Sequence, residues 1–476
     1  MATKLEAVRA KGYIAEGDVR SLTSYFAVPK GSDDIRMVYD ATASGLNDAL
    51  WAPNFWLPSA EGLVEAMEVM SWMGDLDMGE QFLNFLLHPD LQQYCGIDLR
   101  PFAGDERKAT LWLQWTRCMM GLRPSPYFTG QGTYYAEALV VSDPRDQTNP
   151  FHWQTVRLNL PGSDTYTPSL PWVSRLTATG DPAGTFSRYV DDLRTIGASE
   201  EHCWQVGHRL ATYFAYLGLQ VALPKLRAPA QHPGPWAGTI AFSCSAGVGV
   251  TCPLDKWTKA QRLLAELQLE LDTQPSLQRK PLESLWGFLI HLMRTFPIIT
   301  PYLKGMHLTL DGWRAHRDPE MWKTLGREEM ELGDPTHYPD TAPLELLPAP
   351  RLASDVFCLL QLFADPTPPT RMVRCSHRKT AIYGFVDASS AGFGGSFALP
   401  DGSLFFRHGL WGRDADSISS NFPELSNLVD SVEDGVQSGE LADTELFILT
   451  DNTTAEGCYY KGNSDNKKLF MLVLRL

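Results

Sequence analysis

The sequence predicts an α+β body followed by a smaller α/β domain. Three observations carry that expectation. Apolar runs around Asp77 and Asp191 each end in an acidic cluster, as strands do when they deliver side chains to a site. A seam from Pro335 to Thr370 holds eight prolines in 36 residues. Each proline fixes φ and removes a donor, so the seam cannot be one long regular element. Beyond it, a tail of about 100 residues reads as strand, strand, strand, helix, strand, enough for one small domain.

In chain order, SYFAVPK and IRMVYDA read as two strands around a polar turn, Gly31 to Asp34. Glu61 to Met73 reads as a helix, and MGDLDMGEQFLNFLLHP as a strand running into a helix. Thr129 to Val141 is expected to be helical, and Phe186 to Ile196 to be strand, turn, strand. Trp257 to Leu271 is an amphipathic helix, with leucines at 263, 264, 267 and 271. Asp355 to Phe363 is a short helix inside the seam. In the tail, AIYGFVDAS ends in an acid. GGSFALP and GSLFFRHG flank the turn signal Asp401-Gly402, NFPELSNLVDSVEDGV has helical spacing, and ELFILT runs into Asp451.

At about 150 residues per domain, 476 residues suggest roughly three domains. With 44% hydrophobic and 20% charged residues, whole-chain disorder is excluded. No apolar run approaches the roughly 18 residues of a membrane span, and the first residues lack an apolar signal core. The eight cysteines contain no CxxC pair and read as reduced thiols. The expectation is an intracellular protein, cytoplasmic or nuclear, without a membrane partner. The net charge of −15 argues mildly against nucleic acid, but it is unevenly spread. Lys256 to Arg317 has nine basic against five acidic residues, whereas Ala381 to Leu476 has six against fourteen.

The chemistry-bearing residues are acids. In Tyr189-Val190-Asp191-Asp192, two β-prone runs flank an Asp-Asp pair. Neighbouring carboxylates in a tight turn repel, and a divalent cation relieves that cost. Asp77 ends another apolar run. Paired beside the hairpin, it would bring carboxylates from two strands together, as two-metal phosphoryl transfer requires. Each acid also has a plain structural reading, as a turn or cap residue.

Tyr-Val-Asp-Asp resembles the signature hairpin of reverse transcriptases, and DLDMGEQFLNFLLHPDLQQYCGID resembles that family's first catalytic motif. Four further blocks follow the family's order. SYFAVPKGSDDIRMVYDATASGLN resembles the fingers hairpin, MGLRPSPYFTGQ the motif preceding the Asp-Asp hairpin, LGLQVALPKLRAP the motif following it, and WAGTIAF with LDKW the primer grip. The resemblance implies an α+β polymerase palm with fingers and thumb, acting as an RNA-directed DNA polymerase. Its catalytic residues would be Asp77, Asp191 and Asp192, with Asp77 and Asp191 on the metal. Lys30, Arg36, Phe82 and Lys225 would contact nucleotide, Phe82 by excluding a 2′-hydroxyl. The implied cofactor is Mg²⁺, with Mn²⁺ as a substitute. The implied partners are dNTPs and an RNA or DNA template with primer.

In the tail, Asp387, Glu424 and Asp451 resemble the acids of ribonuclease H, so the chain resembles a retrotransposon protein, most like the DIRS type. The implied domains are 1–316 for fingers, palm and thumb, with an insertion at about 141–184. A proline-rich connection follows at 317–378, then a truncated α/β ribonuclease H-like domain at 379–476. The tail lacks the family's fourth acid and last strand and helix, which implies weak or no ribonuclease H activity. Its final helix, from Asn466, is expected to find few partners. The alternative is a catalytically decayed remnant that only binds nucleic acid. The sequence leaves the oligomeric state open.

Overall fold

The computed structural model describes residues 2–30, 34–57, 60–102, 112–324, 342–377, 380–411 and 420–476. The expected turn at Gly31 to Asp34 lies mostly outside these residues, as does part of the proline-rich seam. Two compact units emerge. The first gathers residues 1–63, 71–156 and 175–233, and the second gathers 64–70, 157–174 and 234–476. These divisions do not follow the boundaries expected at 316 and 378.

The first unit opens with α1 (Ala2–Ala10) and the hairpin of β1 (Ser24–Lys30) and β2 (Asp34–Asp40), in register from Ser24↔Asp40 to Lys30↔Asp34. Its central sheet contains β3 (Trp72–Asp77), β4 (Thr185–Tyr189), β5 (Asp192–Gly197) and β6 (Arg227–Ala230) in the order β6-β3-β5-β4. Helices α2 (Ser125–Val141) and α3 (Glu200–Tyr216) share a core with it. Leu76, Leu193, Ala136, Val140, Val206, Leu210 and Phe214 are buried there. In β3, Met73, Leu76 and Asp77 are all buried, which marks a strand covered on both faces.

Two expectations are corrected here. The helix read at Glu61 to Met73 ends at Ala66, and Met70 adopts φ 67 before β3 begins. Trp72 and Met73 are drawn into the sheet as partners of Gly197 and Ile196, so strand pairing overrides the helical pattern. The helix expected after Asp77 is only a single 3-10 turn, Gln81–Asn84. Glu80 lies in the left-handed region, φ 50, and breaks the run.

The second unit holds the antiparallel β7 (Pro235–Trp236), β8 (Thr239–Cys244) and β9 (Gly247–Thr251), then α4 (Leu254–Thr273), α5 (Arg279–Met293) and α6 (Lys304–Asp311). The described part of the proline-rich seam joins this core rather than leaving it. Leu346 pairs with Leu277, and α7 (Leu352–Leu362) buries Leu352, Val356 and Leu359 among Leu264, Leu289 and Met306. β10 (Arg371–Cys375) pairs with β9. Prolines bound these short elements without excluding them.

The tail forms a four-stranded sheet, β13-β12-β11-β14. Its strands are β11 (Ala381–Ala388), β12 (Gly392–Ala398), β13 (Leu404–Leu410) and β14 (Glu445–Leu449), with β11 and β14 parallel. Helix α8 (Asn421–Gln437) packs with α9 (Thr453–Lys461) and α10 (Lys467–Val473). Contrary to expectation, the last helix is well partnered. Leu469, Leu472 and Val473 meet Leu425 and Val429, and Phe470 is fully buried with Trp322, Leu308 and Ala349.

The insertion is ordered. Thr155–Leu158 and Val173–Leu176 form a ribbon, and buried Asn159 ties the loop between them to Thr167 and Leu170. Tyr166 donates to Glu445 at 2.5 Å, and both Tyr166 and Trp172 rest against Phe447. They cover part of the tail sheet, whereas Phe385, Leu449 and Phe406 remain exposed.

Candidate active site

Strand register brings the acids of the first unit together. Asp192 lies directly opposite Asp77, and Met78 N–H donates to Asp191 O at 2.8 Å. The Asp77 carboxyl is close enough to that of Asp192 to help raise its pKa. The hairpin turns on only two residues, because Tyr189 and Asp192 are already a pair. Such turns favour glycine at a central position, yet Val190 stands there at φ 57. A β-branched residue in that region is strained, by on the order of 1–3 kcal/mol.

A buried arginine holds the strained turn in place. Arg188 is 2% exposed, pairs with Glu137 of α2 and donates to Val190 O at 3.1 Å. Its guanidinium also lies over the Tyr134 ring, 4.5 Å from the centroid. Burial raises the Glu137 pKa, against the pull of Arg188. One strand over, Arg194 is fully buried and grips Asp75 at 2.7 and 2.9 Å, while Arg227 approaches the same carboxylate at 3.2 Å.

Asp77 is 5% exposed and receives Lys225 Nζ at 2.5 Å. That hydrogen bond raises the Lys225 pKa. Asp191 is raised by burial, and then by the charge of Asp77. Asp192 is pushed up to about 6 by desolvation, then by Asp191 and Asp77. Carboxylates that resist joint ionisation favour a cation. Among the described residues, however, no three acidic, His or Cys side chains stand pre-grouped as a metal ligand set.

These acids open onto a cleft of about 720 Å³ lined also by Lys30, Arg36, Phe82 and Lys225. All seven sequence-predicted residues of this site therefore share one cavity. Phe82 lines the cleft while packing against the apolar cluster of Tyr39, Leu87 and Leu113, so it serves packing as well.

Sequence reasoning missed the cleft's other wall. Helix α1 brings Lys4, and Lys11 follows it. Lys4 pairs with Asp34 at 2.7 Å, and Lys11 with Glu80 at 2.7 Å. Glu80 also accepts from Tyr13, which accepts from Gln220. Gly121 is another omission. At φ +96, a Cβ there would lie 1.8 Å from Tyr39 O, so only glycine lets the 119–124 loop reach β2. The positive φ could not be read from Met-Gly-Leu, and the Arg188–Glu137 pair spans 51 residues.

In the tail, Asp387 on β11 and Asp451 after β14 line one open groove of about 1030 Å³ with Arg407 and His408. Asn427, fully buried on α8, donates to Asp387 O and Gly394 O and fixes helix to sheet. Glu424 sits in the first turn of α8, with Oε2 buried and unpartnered. Glu424 does not line that groove, so the structure brings two of the three tail acids together there.

No protein-family model matches this chain, and no curated protein matches it. Among solved structures it is similar to a foamy viral protease-reverse transcriptase dRH in complex with double-stranded DNA, at 11% identity and TM-score 0.49, covering 94% of this chain and 62% of that one. It is also similar to a foamy viral protease-reverse transcriptase in complex with an RNA/DNA hybrid, at 12% identity and TM-score 0.47, covering 99% and 50%. A third, in complex with double-stranded DNA, shares 13% identity at TM-score 0.48, covering 95% and 75%. The chain thus spans between half and two thirds of the length of the first two.

Proposed function

We propose that this chain is an RNA-directed DNA polymerase of a retrotransposon of the DIRS type or a relative. The reaction is attack of a primer 3′-hydroxyl on the α-phosphate of a dNTP, with release of pyrophosphate. One observation carries the reading. The β3–β5 register sets Asp77 against Asp192 beside Asp191, in a cleft lined by Lys30, Arg36 and Lys225. Acids at the centre and cations around them suit a metal-bound triphosphate.

The donor set fits Mg²⁺ or Mn²⁺, being oxygen-only and under mutual repulsion. Asp77 and Asp191 would hold the metal, with Asp192 beside them. When bound, it would supply Lewis-acid activation and neutralise charge on the leaving group. The chain's own residues do the rest. Arg36 and Lys30 attract the phosphates, and Phe82 limits space at the sugar. The Arg188–Glu137 brace keeps Asp191 presented on its strained turn. In this reading the β1–β2 hairpin is the fingers, the central sheet the palm, and α4 to α6 the thumb. The tail is a ribonuclease H-like domain in which Asp387 and Asp451 share a groove that Glu424 does not line.

The absence of a pre-grouped ligand set among the described residues favours a second reading, a remnant that binds nucleic acid without extending it. Primer extension on RNA and DNA templates with Mg²⁺ or Mn²⁺ decides. Template-dependent extension, abolished in Asp191→Asn, is expected. Tight primer–template binding without extension by the wild type would establish the remnant.

A further inference from the structure

The acids of the first unit are partnered in two different ways. Asp75 and Glu137 are held by arginines whose side chains are 0% and 1% exposed. A planar guanidinium fork in a dry site is a permanent fixture. Asp77 is held by a lysine instead, and the Lys225 side chain is 60% exposed. An ammonium on a flexible four-carbon stem is a point charge that can leave without unpacking anything. Lys225 ends a single 3-10 turn, Leu223–Lys225, and the adjoining Ala222 N–H donates to Asp77 O at 2.8 Å. The turn is therefore anchored beside Asp77 by its backbone, while the side chain stays free to swing.

Charge points the same way. Among the described residues, Lys225 is the one cation in ion-pair contact with Asp77, Asp191 or Asp192. One ammonium on Asp77, with Asp191 and Asp192 lining the same cleft, leaves a charge deficit that a divalent cation would fill better. Lys225 also lines the cleft that holds Lys30 and Arg36, so once off Asp77 it can reach whatever anion those residues bind.

We propose that Lys225 is an exchangeable counter-cation. It neutralises Asp77 while the site is empty of metal, and a divalent cation loads by displacing it, which frees the ammonium for the phosphates of the nucleotide. The lysine moves as a charged group, with no proton transferred and no bond made or broken. Metal loading and nucleotide binding are thereby coupled through one side chain. This inference rests on the polymerase reading of the same site.

The probe is Mn²⁺ itself, titrated into the full chain without nucleotide and followed by loss of the free-ion paramagnetic signal. If Lys225 competes for Asp77, Lys225→Met and Lys225→Gln should each bind Mn²⁺ about tenfold more tightly than wild type, equivalent to about 1.4 kcal/mol. Lys225→Arg, which keeps the charge, should stay near or below wild type. Both neutral variants should need more dNTP for half-maximal extension. Unchanged or weaker Mn²⁺ binding in both would overturn the inference. Primer extension by the wild type separates the two levels. Extension together with unchanged affinities removes the exchange role and leaves the polymerase reading standing. No extension and no Mn²⁺ uptake by any form removes both.

Discussion

The chain carries two acidic sites, and they are built to different standards. In the first unit, Asp77 and Asp192 face each other across paired strands, with Asp191 on a strained turn braced by a buried arginine. In the tail, Asp387 lies on one of two parallel strands, Asp451 follows the other, and both line an open groove, while Glu424 sits on a helix with one oxygen unpartnered. Antiparallel register fixes an acid pair by backbone hydrogen bonds alone. A helix-borne acid depends on how firmly its helix is docked. The first site is over-determined, whereas the second hangs on Asn427 and the packing of α8.

The largest expected effect separates the two sites directly. Asp191→Asn should lower primer extension by at least roughly 10³-fold, equivalent to about 4 kcal/mol of barrier. Asp387→Asn should leave extension unchanged, and hybrid cleavage by the wild type should be weak. Robust Mg²⁺-dependent cleavage abolished by Asp451→Asn would show the tail site to be the equal of the first.

Bracing can be broken without touching an acid of the site. Arg188→Met strands the Glu137 carboxylate in a buried position, which should cost about 3–5 kcal/mol in denaturant unfolding. Adding Glu137→Leu should recover much of that stability, because no buried charge is then left unpaired. Extension should not recover with it, since Val190 O has still lost its donor. Recovery of both would reduce the pair to simple packing.

These pairs also show what a sequence can and cannot reveal. The acids, the hairpin and most strands were legible because period and turn chemistry are local. The Phe186–Ile196 reading landed on β4 and β5, and ELFILT on β14. The Arg188–Glu137 contact was illegible because neither residue signals its partner 51 positions away. The run after Asp77 misled for another reason. Its helical spacing is real, but Glu80 is taken up by Lys11 and Tyr13 from near the start of the chain, and the backbone turns at φ 50. Inside the proline-rich seam the short helix read at Asp355 to Phe363 is α7, but its packing into the second unit's core depends on distant partners and was not legible from composition.

A smaller effect tests the role proposed for Phe82. Phe82 both lines the cleft and packs on the Tyr39 cluster, so Phe82→Ala should cost some stability as well as selectivity. Discrimination is a difference of two barriers, and removing a clash acts on only one of them. The rNTP/dNTP ratio of kcat/KM should rise about tenfold. An unchanged ratio would leave Phe82 as a packing residue alone.

The smallest expected effect concerns acid. His307 on α6 is half-buried in the second unit, with its Nδ1 buried and unpartnered, and its pKa is lowered from 6.5 by desolvation and then by Lys304. Lys323 adds to that, while Asp311 and Asp465 oppose it. Lys304 is itself 2% exposed, donates to Ser464 O at 2.8 Å and lies over the Trp322 and Phe470 rings, which seat the last helix. With the folded pKa below the unfolded value, the unfolded chain binds more protons as pH drops through 6.5, so stability falls in that direction. A protonated His307 would also set a second positive charge near Lys304. Melting between pH 7 and 5 should therefore show Tm falling with acid, and amide exchange in α10 should rise before exchange in β3 and β5. His307→Asn removes the titrating group and should flatten the first trend, at the cost of a lower starting Tm. If the variant's pH slope matches that of the wild type, His307 does not set it, and the acid sensitivity of the tail lies with its carboxylates instead.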